Sequence, residues 1–91
     1  MITSRELTTK IVAMLNILNR NYASTNLDAK KEIDVARYKL TKRIYEEADD
    51  AIRSHEVDWD DEDYMEDFDN IDQLMYILSR YIRVMEKDLN I

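Results

Sequence analysis

The sequence predicts an all-α fold, a small bundle of three to four helices with one long central helix. The 91 residues include neither glycine nor proline, so tight hairpins lose their usual residues, whereas helix interiors need neither. Apolar residues recur at three- and four-residue spacings, the period of a helix buried on one face. A chain this short builds one core, so residues 1–91 are expected to form a single helical domain.

The first helix is predicted from about Ser4 to Tyr22. Thr3 and Glu6 have the spacing of a capping box at its start. The short polar side chains of residues 21–26 compete with the backbone for hydrogen bonds, which predicts a turn there. The apolar residues at helical spacing are Leu7, Ile11, Met14, Leu15, Leu18 and Tyr22.

The second helix is predicted from about Leu27 to Ser54 and carries two apolar stripes. One stripe consists of Ile33, Ala36, Leu40, Ile44, Ala48 and Ala51. The other consists of Tyr38, Tyr45 and Ile52, seven residues apart, with Trp59 continuing the spacing. A face this wide can contact both a neighbouring helix and a second subunit, so Tyr38, Tyr45 and Ile52 are predicted to form a homodimer surface. The alternative places both stripes in the core of one monomer.

Two further helices are predicted in the second half of the chain. One is an acidic helix that aromatic residues hold in place and that Asp58 to Asp61 can cap. A helical spacing of residues indicates it, and Asp61 is the one polar residue in that spacing. The residues with that spacing are Val57, Asp61, Tyr64, Phe68 and Ile71. Asn70 and Gln73 offer a capping box for the last helix, which is expected to reach almost to the C-terminus. Its apolar residues are Ile71, Leu74, Leu78, Tyr81, Ile82, Met85 and Leu89.

Fourteen carboxylates lie between residues 46 and 72, where Arg53 is the only formal positive charge. Residues 1–45 carry nine basic and four acidic groups, whereas residues 46–91 carry four and sixteen. A negative field of this strength attracts basic partners, so all fourteen carboxylates are predicted partner-binding residues. They are Glu46, Glu47, Asp49, Asp50, Glu56, Asp58, Asp60, Asp61, Glu62, Asp63, Glu66, Asp67, Asp69 and Asp72.

Three other interpretations of this acidic block stay open. The first is a disordered, solubilising run, although the interleaved aromatic residues count against it. The second and third are internal neutralisation and calcium binding. In the second, the block is neutralised by the bases of the second helix, which are Lys30, Lys31, Arg37, Lys39, Lys42 and Arg43. In the third, the block binds calcium, since Asp58, Asp60 and Glu62 alternate as in a calcium loop and Asp69 stands at the twelfth position. That loop, however, needs glycine where Asp63 stands and glutamate where Asp69 stands. No dedicated metal site and no cofactor are therefore predicted.

Several classes of function are disfavoured by the composition. His55 is the only histidine and there is no cysteine, and carboxylate pairs need a cleft that separates their pKa values before they do acid and base chemistry. We therefore expect no enzyme. A net charge of −7 repels phosphate and argues against direct nucleic-acid binding.

The N-terminal residues lack a basic flank before an apolar run, and no stretch is apolar enough to span a membrane. A cytoplasmic protein is expected.

The density of carboxylates is close to that of phosphates in DNA. Each DNA strand carries one charge per about 3.4 Å. Twenty-seven helical residues at about 1.5 Å each span about 40 Å, so fourteen carboxylates would give roughly one charge per 3 Å. One subunit could thus imitate one strand, and a two-fold dimer could imitate two.

The block from Glu56 to Asp69, together with the chain length and the absence of glycine, proline and cysteine, resembles the DNA-mimic anti-restriction proteins of bacteriophages, those of T-even phages in particular. That resemblance implies a homodimer that occupies the DNA-binding surface of a host nuclease, a McrBC-like restriction enzyme, in the host cytoplasm. The basic segment Lys30 to Arg43 departs from the uniformly acidic pattern of many such mimics.

Two alternative functions remain. One is an acidic helical adaptor or assembly module that binds a basic protein partner, or joins its own oppositely charged halves, without DNA mimicry. The other is an immunity or antitoxin-type protein that blocks a toxic nuclease. Only a mimic is expected to compete directly with duplex DNA for its partner.

Overall fold

Helices make up most of the part of the chain that the structure describes. This computed structural model describes residues 1–20, 27–59 and 64–91. Helix α1 spans Ser4–Asn19, α2 spans Leu27–Arg53 and α3 spans Tyr64–Leu89, and two short strands, β1 (Ile2–Thr3) and β2 (Val57–Asp58), complete the order β1, α1, α2, β2, α3. The predicted all-α bundle with a long central helix is confirmed. None of the described helices is long and apolar enough to cross a membrane.

Helix α1 begins at the predicted cap. The Glu6 backbone N–H donates to Thr3 Oγ1 at 3.1 Å, and Thr3 has the extended backbone of an N-cap residue. The helix ends at Asn19, three residues before the predicted end at Tyr22, and the predicted turn at residues 21–26 lies outside the described residues.

Arg37 of α2 stabilises the end of α1. Its guanidinium donates to the carbonyl oxygens of Ile17 and Arg20, the latter at 3.4 Å. The last carbonyls of a helix lack partners within the helix and carry the negative end of its dipole, so a cation there satisfies them and is itself stabilised. One member of the basic set on α2 is thereby engaged far from the acidic block.

The two strands tie the start of the chain to the segment after α2. They pair in parallel, Ile2 opposite Val57 and Thr3 opposite Asp58, and the Ile2 N–H donates to the Glu56 carbonyl at 3.2 Å. Val57 is buried in the core. The prediction of Val57 on the acidic helix was therefore wrong, and the pairing sets α1 beside the connection between α2 and α3.

Helix α2 turns residues of both predicted stripes toward the core. In the first stripe Ala48 is buried, and Leu40, Ile44 and Ala51 pack partly buried against the core cluster. In the second stripe Tyr38 is 6% exposed, and Tyr45 and Ile52 are partly buried against the core cluster. This packing agrees with the alternative that places both stripes in the core of one monomer, and the homodimer surface at Tyr38, Tyr45 and Ile52 stays a prediction.

Tyr38 also links α2 to α3. Its hydroxyl donates to Glu86 Oε2 at 2.9 Å, and the Lys42 ammonium donates to the same hydroxyl oxygen at 3.5 Å. This hydrogen bond and the electrostatic interaction with Tyr38 raise the pKa of Lys42 above its usual 10.5, with further contributions from Glu46 and Glu86. The contact fixes the middle of α2 against the end of α3. Ile52 near the end of α2 and Phe68 near the start of α3 line one cleft, so the two helices run antiparallel.

Helix α3 is continuous across the predicted boundary at Asn70. The sequence predicted an acidic helix and a separate last helix, but one helix runs from Tyr64 to Leu89. Asn70 is exposed in its interior, where its side chain can point to water instead of competing for backbone hydrogen bonds. The buried residues Ile71, Met75, Leu78 and Ile82 keep one face on the core, and that packing outweighs the capping signal.

Both α2 and α3 end in a left-handed turn made without glycine. His55 and Asn90 each have φ 57°. After α2, His55 N–H donates to the Ile52 carbonyl at 3.3 Å and Glu56 N–H donates to the Ala51 carbonyl at 2.9 Å, the paired bonds of a Schellman motif. The end of α3 has the same pair of bonds, at 3.3 and 2.9 Å. The only histidine of the chain thus occupies the left-handed position of the turn that ends α2.

Replacing His55 with glycine is expected to stabilise the protein. A left-handed backbone costs a residue with a Cβ about 1 to 2 kcal/mol, and glycine avoids this cost. Glycine also has more conformational freedom in the unfolded chain, which reduces the net stabilisation. His55→Gly should therefore raise the free energy of unfolding by about 0.5 to 1 kcal/mol, measured by urea denaturation. Asn90→Gly is the control and should gain less, because asparagine tolerates this region. A loss of stability in His55→Gly would contradict the turn's assignment.

Candidate partner-binding surface

The chain reversal between α2 and α3 gathers carboxylates at one end of the bundle, here called the acidic end. Ten of the fourteen predicted residues lie within the described residues, and eight of these are exposed. The exposed ones are Glu46, Glu47, Asp50, Glu56, Asp58, Glu66, Asp69 and Asp72. Asp49 and Asp67 are half-buried. The remaining four predicted residues, Asp60, Asp61, Glu62 and Asp63, lie outside the described residues.

The acidic block is not one straight helix. Helix α2 ends at Arg53, β2 covers Val57–Asp58 and α3 begins at Tyr64. The expected line of charge about 40 Å long is therefore corrected to carboxylates on two antiparallel helices and on the segment between them. The left-handed turn at His55 ends α2 and redirects the chain.

Bases neutralise part of the acidic end. The Lys10 ammonium lies 3.3 Å from Glu47 Oε2 and Arg43 Nε lies 3.9 Å from Glu47 Oε1. Arg53 Nε lies 3.0 Å from Asp49 Oδ2. Pairs this exposed contribute about 0 to 1 kcal/mol each. Among the described residues these ion pairs reach only two carboxylates of the acidic end, so most of its negative charge faces solvent.

Asp67 has a structural contact that the sequence did not indicate. Ser4 Oγ donates to Asp67 Oδ2 at 3.0 Å, and Ser4 is buried. Asp67 also lies in the first turn of α3, where a carboxylate favours the positive end of the helix dipole. This side chain joins the starts of α1 and α3. Its burial and hydrogen bond leave it less available to a partner than its exposed neighbours.

Three aromatic rings support the acidic end. The Trp59 ring centroid lies 5.5 Å from that of Tyr64 and 5.6 Å from that of Phe68, and the Tyr64 and Phe68 centroids are 6.1 Å apart. Edge-to-face and offset contacts at such distances are favourable. The prediction that aromatic residues pin the acidic segment is confirmed for these three residues, since they connect the chain after β2 to the first turns of α3.

A cleft of about 450 Å³ opens between α2 and α3 beside this aromatic cluster. Its lining includes Tyr45, Trp59, Tyr76 and Asp72, together with Asp49, which already pairs with Arg53. Aromatic faces attract cations and carboxylates pair with them. The cleft is therefore suited to a lysine or arginine side chain. The carboxylates alone were apparent from the sequence, and the cleft arises only when the two helices pack.

No group of three or more potential metal ligands occurs among residues 1–20, 27–59 and 64–91. The calcium-like pattern that begins at Asp58 continues into residues 60–63, outside the described residues. Asp58 and Asp69, which are described, lie on different elements, β2 and α3.

Comparison of the chain with protein-family models, with curated proteins and with solved structures gives no match. Function is therefore inferred from the chain's own charges, contacts and exposed surfaces.

Proposed function

We propose that the acidic end binds the DNA-binding surface of a nuclease and inhibits it by excluding duplex DNA. The observation that carries this proposal is the exposure of carboxylates on two antiparallel helices and on the segment between them, with ion pairs to only some of them. A McrBC-like host restriction enzyme is the specific target suggested by the resemblance of the block Glu56 to Asp69.

The placement of exposed carboxylates on two packed helices supports mimicry of a duplex over mimicry of one strand. Packed helices lie about 8 to 10 Å apart, and their outward side chains lie farther apart than their axes. The major groove between the phosphate rows of DNA is about 12 Å wide. One copy of this protein can thus offer negative charge on two helices with a separation of the same order.

The cleft between α2 and α3 adds a place for a basic side chain. DNA-binding proteins contact phosphates mainly through arginine and lysine. An arginine that enters the cleft would lie against the Tyr45 and Trp59 rings and beside Asp72. Such a contact combines cation–π attraction with a charge-assisted hydrogen bond.

Competition between this protein and duplex DNA tests the proposal. A purified modification-dependent restriction nuclease is captured on the immobilised protein and then challenged with duplex DNA. We expect the DNA to release the nuclease, and we expect the protein to inhibit DNA cleavage in a salt-sensitive way, because exposed charges are screened. A basic protein that does not bind DNA is the control. A ternary complex in which the nuclease holds both ligands would overturn the proposal.

The second candidate is an assembly module, favoured by the distribution of charge along α3. Its first turns carry Glu66, Asp67, Asp69 and Asp72, whereas its later turns carry Arg80, Arg83 and Lys87. Such a helix can pair with a copy of itself without any DNA-binding partner. An assembly module would bind its partner equally well in the presence of duplex DNA.

A further inference from the structure

The later half of α3 presents apolar and basic side chains together on its outward face. Residues 73–85 contain two arginines and no carboxylate, although the chain has 20 acidic residues. Six exposed residues in this half recur at the spacing of one helix face and are called here the basic apolar strip. They are Tyr76, Ile77, Arg80, Arg83, Val84 and Lys87. Glu86, which lies among them in sequence, turns instead toward Tyr38 of α2.

The apolar members of the strip are large and well exposed. Tyr76 is 62% exposed, Val84 is 58% exposed and Ile77 is 40% exposed. Ile77 and Val84, together with Arg80 and Tyr81, line a depression of about 300 Å³, which is large enough for one aliphatic or aromatic side chain. Exposed apolar side chains gathered in one place mark a site of contact with another molecule.

Contacts to α1 and within α3 hold the side chains of this depression in place. Tyr81 is half-buried, and its hydroxyl donates to Asn19 Oδ1 at the end of α1. The Arg80 guanidinium lies 5.9 Å from the Tyr76 ring centroid, a cation–π contact that orients both side chains. A partner therefore meets side chains that are already ordered, which lowers the entropic cost of binding.

The cations of the strip are available to an anionic partner. Arg80, Arg83 and Lys87 form no ion pair with another described residue. Arg83 follows Asp69 by 14 residues, which is about 21 Å along the helix. That distance is more than twice the Debye length of about 8 Å at physiological ionic strength. The acidic end therefore opposes an anionic partner at Arg83 only weakly.

We propose that the basic apolar strip binds a short acidic, amphipathic segment of another protein. An apolar side chain of that segment enters the depression beside Ile77 and Val84, and carboxylates next to it pair with Arg83 and Lys87. The strip from Tyr76 to Lys87 is about 16 Å long, so about three helical turns of the partner cover it. Burial of apolar surface supplies attraction, and the cations select an acidic segment over a basic one.

A short segment fits the strip better than an anionic membrane surface does. The same outward face continues toward the start of α3 through Gln73 to Asp69 and Glu66, which are exposed. A helix that lies along a membrane would bring both carboxylates against the lipid phosphates, and like charges repel each other. A segment about 16 Å long ends before it reaches Asp69.

This binding goes beyond the proposed function and is independent of it. The strip shares no residue with the fourteen carboxylates that the sequence predicts for partner binding. One protein can thus hold a nuclease at the acidic end and an acidic segment at the strip. Substitutions in the strip should leave competition with duplex DNA unchanged, so either proposal can fail while the other holds.

Fluorescence anisotropy with labelled synthetic peptides tests the proposal. The probe is a peptide of about three helical turns made of glutamate and leucine, with leucine at three- and four-residue spacing. One control peptide has the same composition without that spacing, and the other has lysine in place of glutamate. We expect the probe to bind with a micromolar dissociation constant and each control to bind at least about tenfold more weakly.

Two isoleucines of equal exposure locate the apolar part of the site. Ile77→Ser should weaken binding of the probe at least about fivefold, because it removes part of the apolar lining of the depression. Ile33→Ser is the matched control, since Ile33 and Ile77 are both 40% exposed and Ile33 lies on α2. It should leave binding of the probe unchanged. Circular dichroism checks that both variants are folded.

Two double variants locate the charged part of the site. Arg83→Gln with Lys87→Gln should weaken binding of the probe about tenfold at low salt and less at high salt, because exposed charges are screened. Lys31→Gln with Lys39→Gln removes the same charge from exposed positions of α2 and should have little effect.

Several results would overturn the proposal. They are failure of the probe to bind, equal binding of either control peptide, and equal effects of the strip variants and their matched controls. Binding of the protein to phosphatidylserine vesicles in preference to the probe would assign the strip to a membrane. A wild-type dimer that Arg83→Gln with Lys87→Gln dissociates, measured by sedimentation equilibrium, would assign the strip to a second copy.

Discussion

Removing five exposed carboxylates of the acidic end together is expected to abolish competition with duplex DNA without unfolding the protein. The variant combines Glu46→Gln, Asp50→Asn, Glu56→Gln, Asp58→Asn and Asp72→Asn. All five side chains are exposed, so their charges add little to stability. If each contributes about 0.5 kcal/mol or more to binding, inhibition should weaken about 100-fold, as measured by inhibitor titration of nuclease cleavage.

A pair of double variants isolates position from net charge. Glu56→Gln with Asp58→Asn removes two charges at the acidic end, and Glu32→Gln with Asp88→Asn removes two exposed charges elsewhere. Both variants have the same net charge, so a common long-range effect cancels between them. Only the first should weaken inhibition measurably, and salt should shrink the difference. Full inhibition by the folded fivefold variant would refute DNA mimicry and favour the assembly module.

Leu78→Ala is expected to cause the largest loss of stability among single changes considered. Leu78 is 0% exposed and belongs to the core cluster that joins α1 and α3. Truncation of such a residue costs about 2 to 5 kcal/mol, because transfer free energy is lost and a cavity remains. A domain of this kind has about 5 to 15 kcal/mol in total, so the urea midpoint should fall steeply.

The matched control for Leu78→Ala is Ile33→Ala. Ile33 is 40% exposed on α2, so its truncation should cost at most about 1 kcal/mol. Similar losses in the two variants would mean that the core lies elsewhere than on the inward faces of α1 and α3.

The sequence by itself determined the features that depend on near neighbours in the chain. Helix α2 starts at the predicted Leu27 and ends one residue before the predicted Ser54. The Thr3 cap forms as predicted, because a cap involves residues only three positions apart. The acidic block and its aromatic support were also evident, since composition and spacing are properties of the chain before it folds.

The tertiary structure alone decided that both apolar stripes of α2 contact the core of one monomer. Their spacing predicts a wide apolar face, but spacing cannot say whether a neighbouring helix or a second copy covers each stripe. Packing of α1 and α3 against α2 buries Ala48 of one stripe and Tyr38 of the other.

Tertiary contacts also decided the shape of the acidic end. Pairing of Ile2 with Val57 and the hydrogen bond from Ser4 to Asp67 join residues more than fifty positions apart in sequence. The periodicity of the sequence does not predict contacts between residues so far apart in the chain. They bring the start of α1 to the connection between α2 and α3. The chain must reverse at this connection because the inward faces of all three helices are buried together. The reversal places one run of carboxylates on two helices, beside the cleft between them.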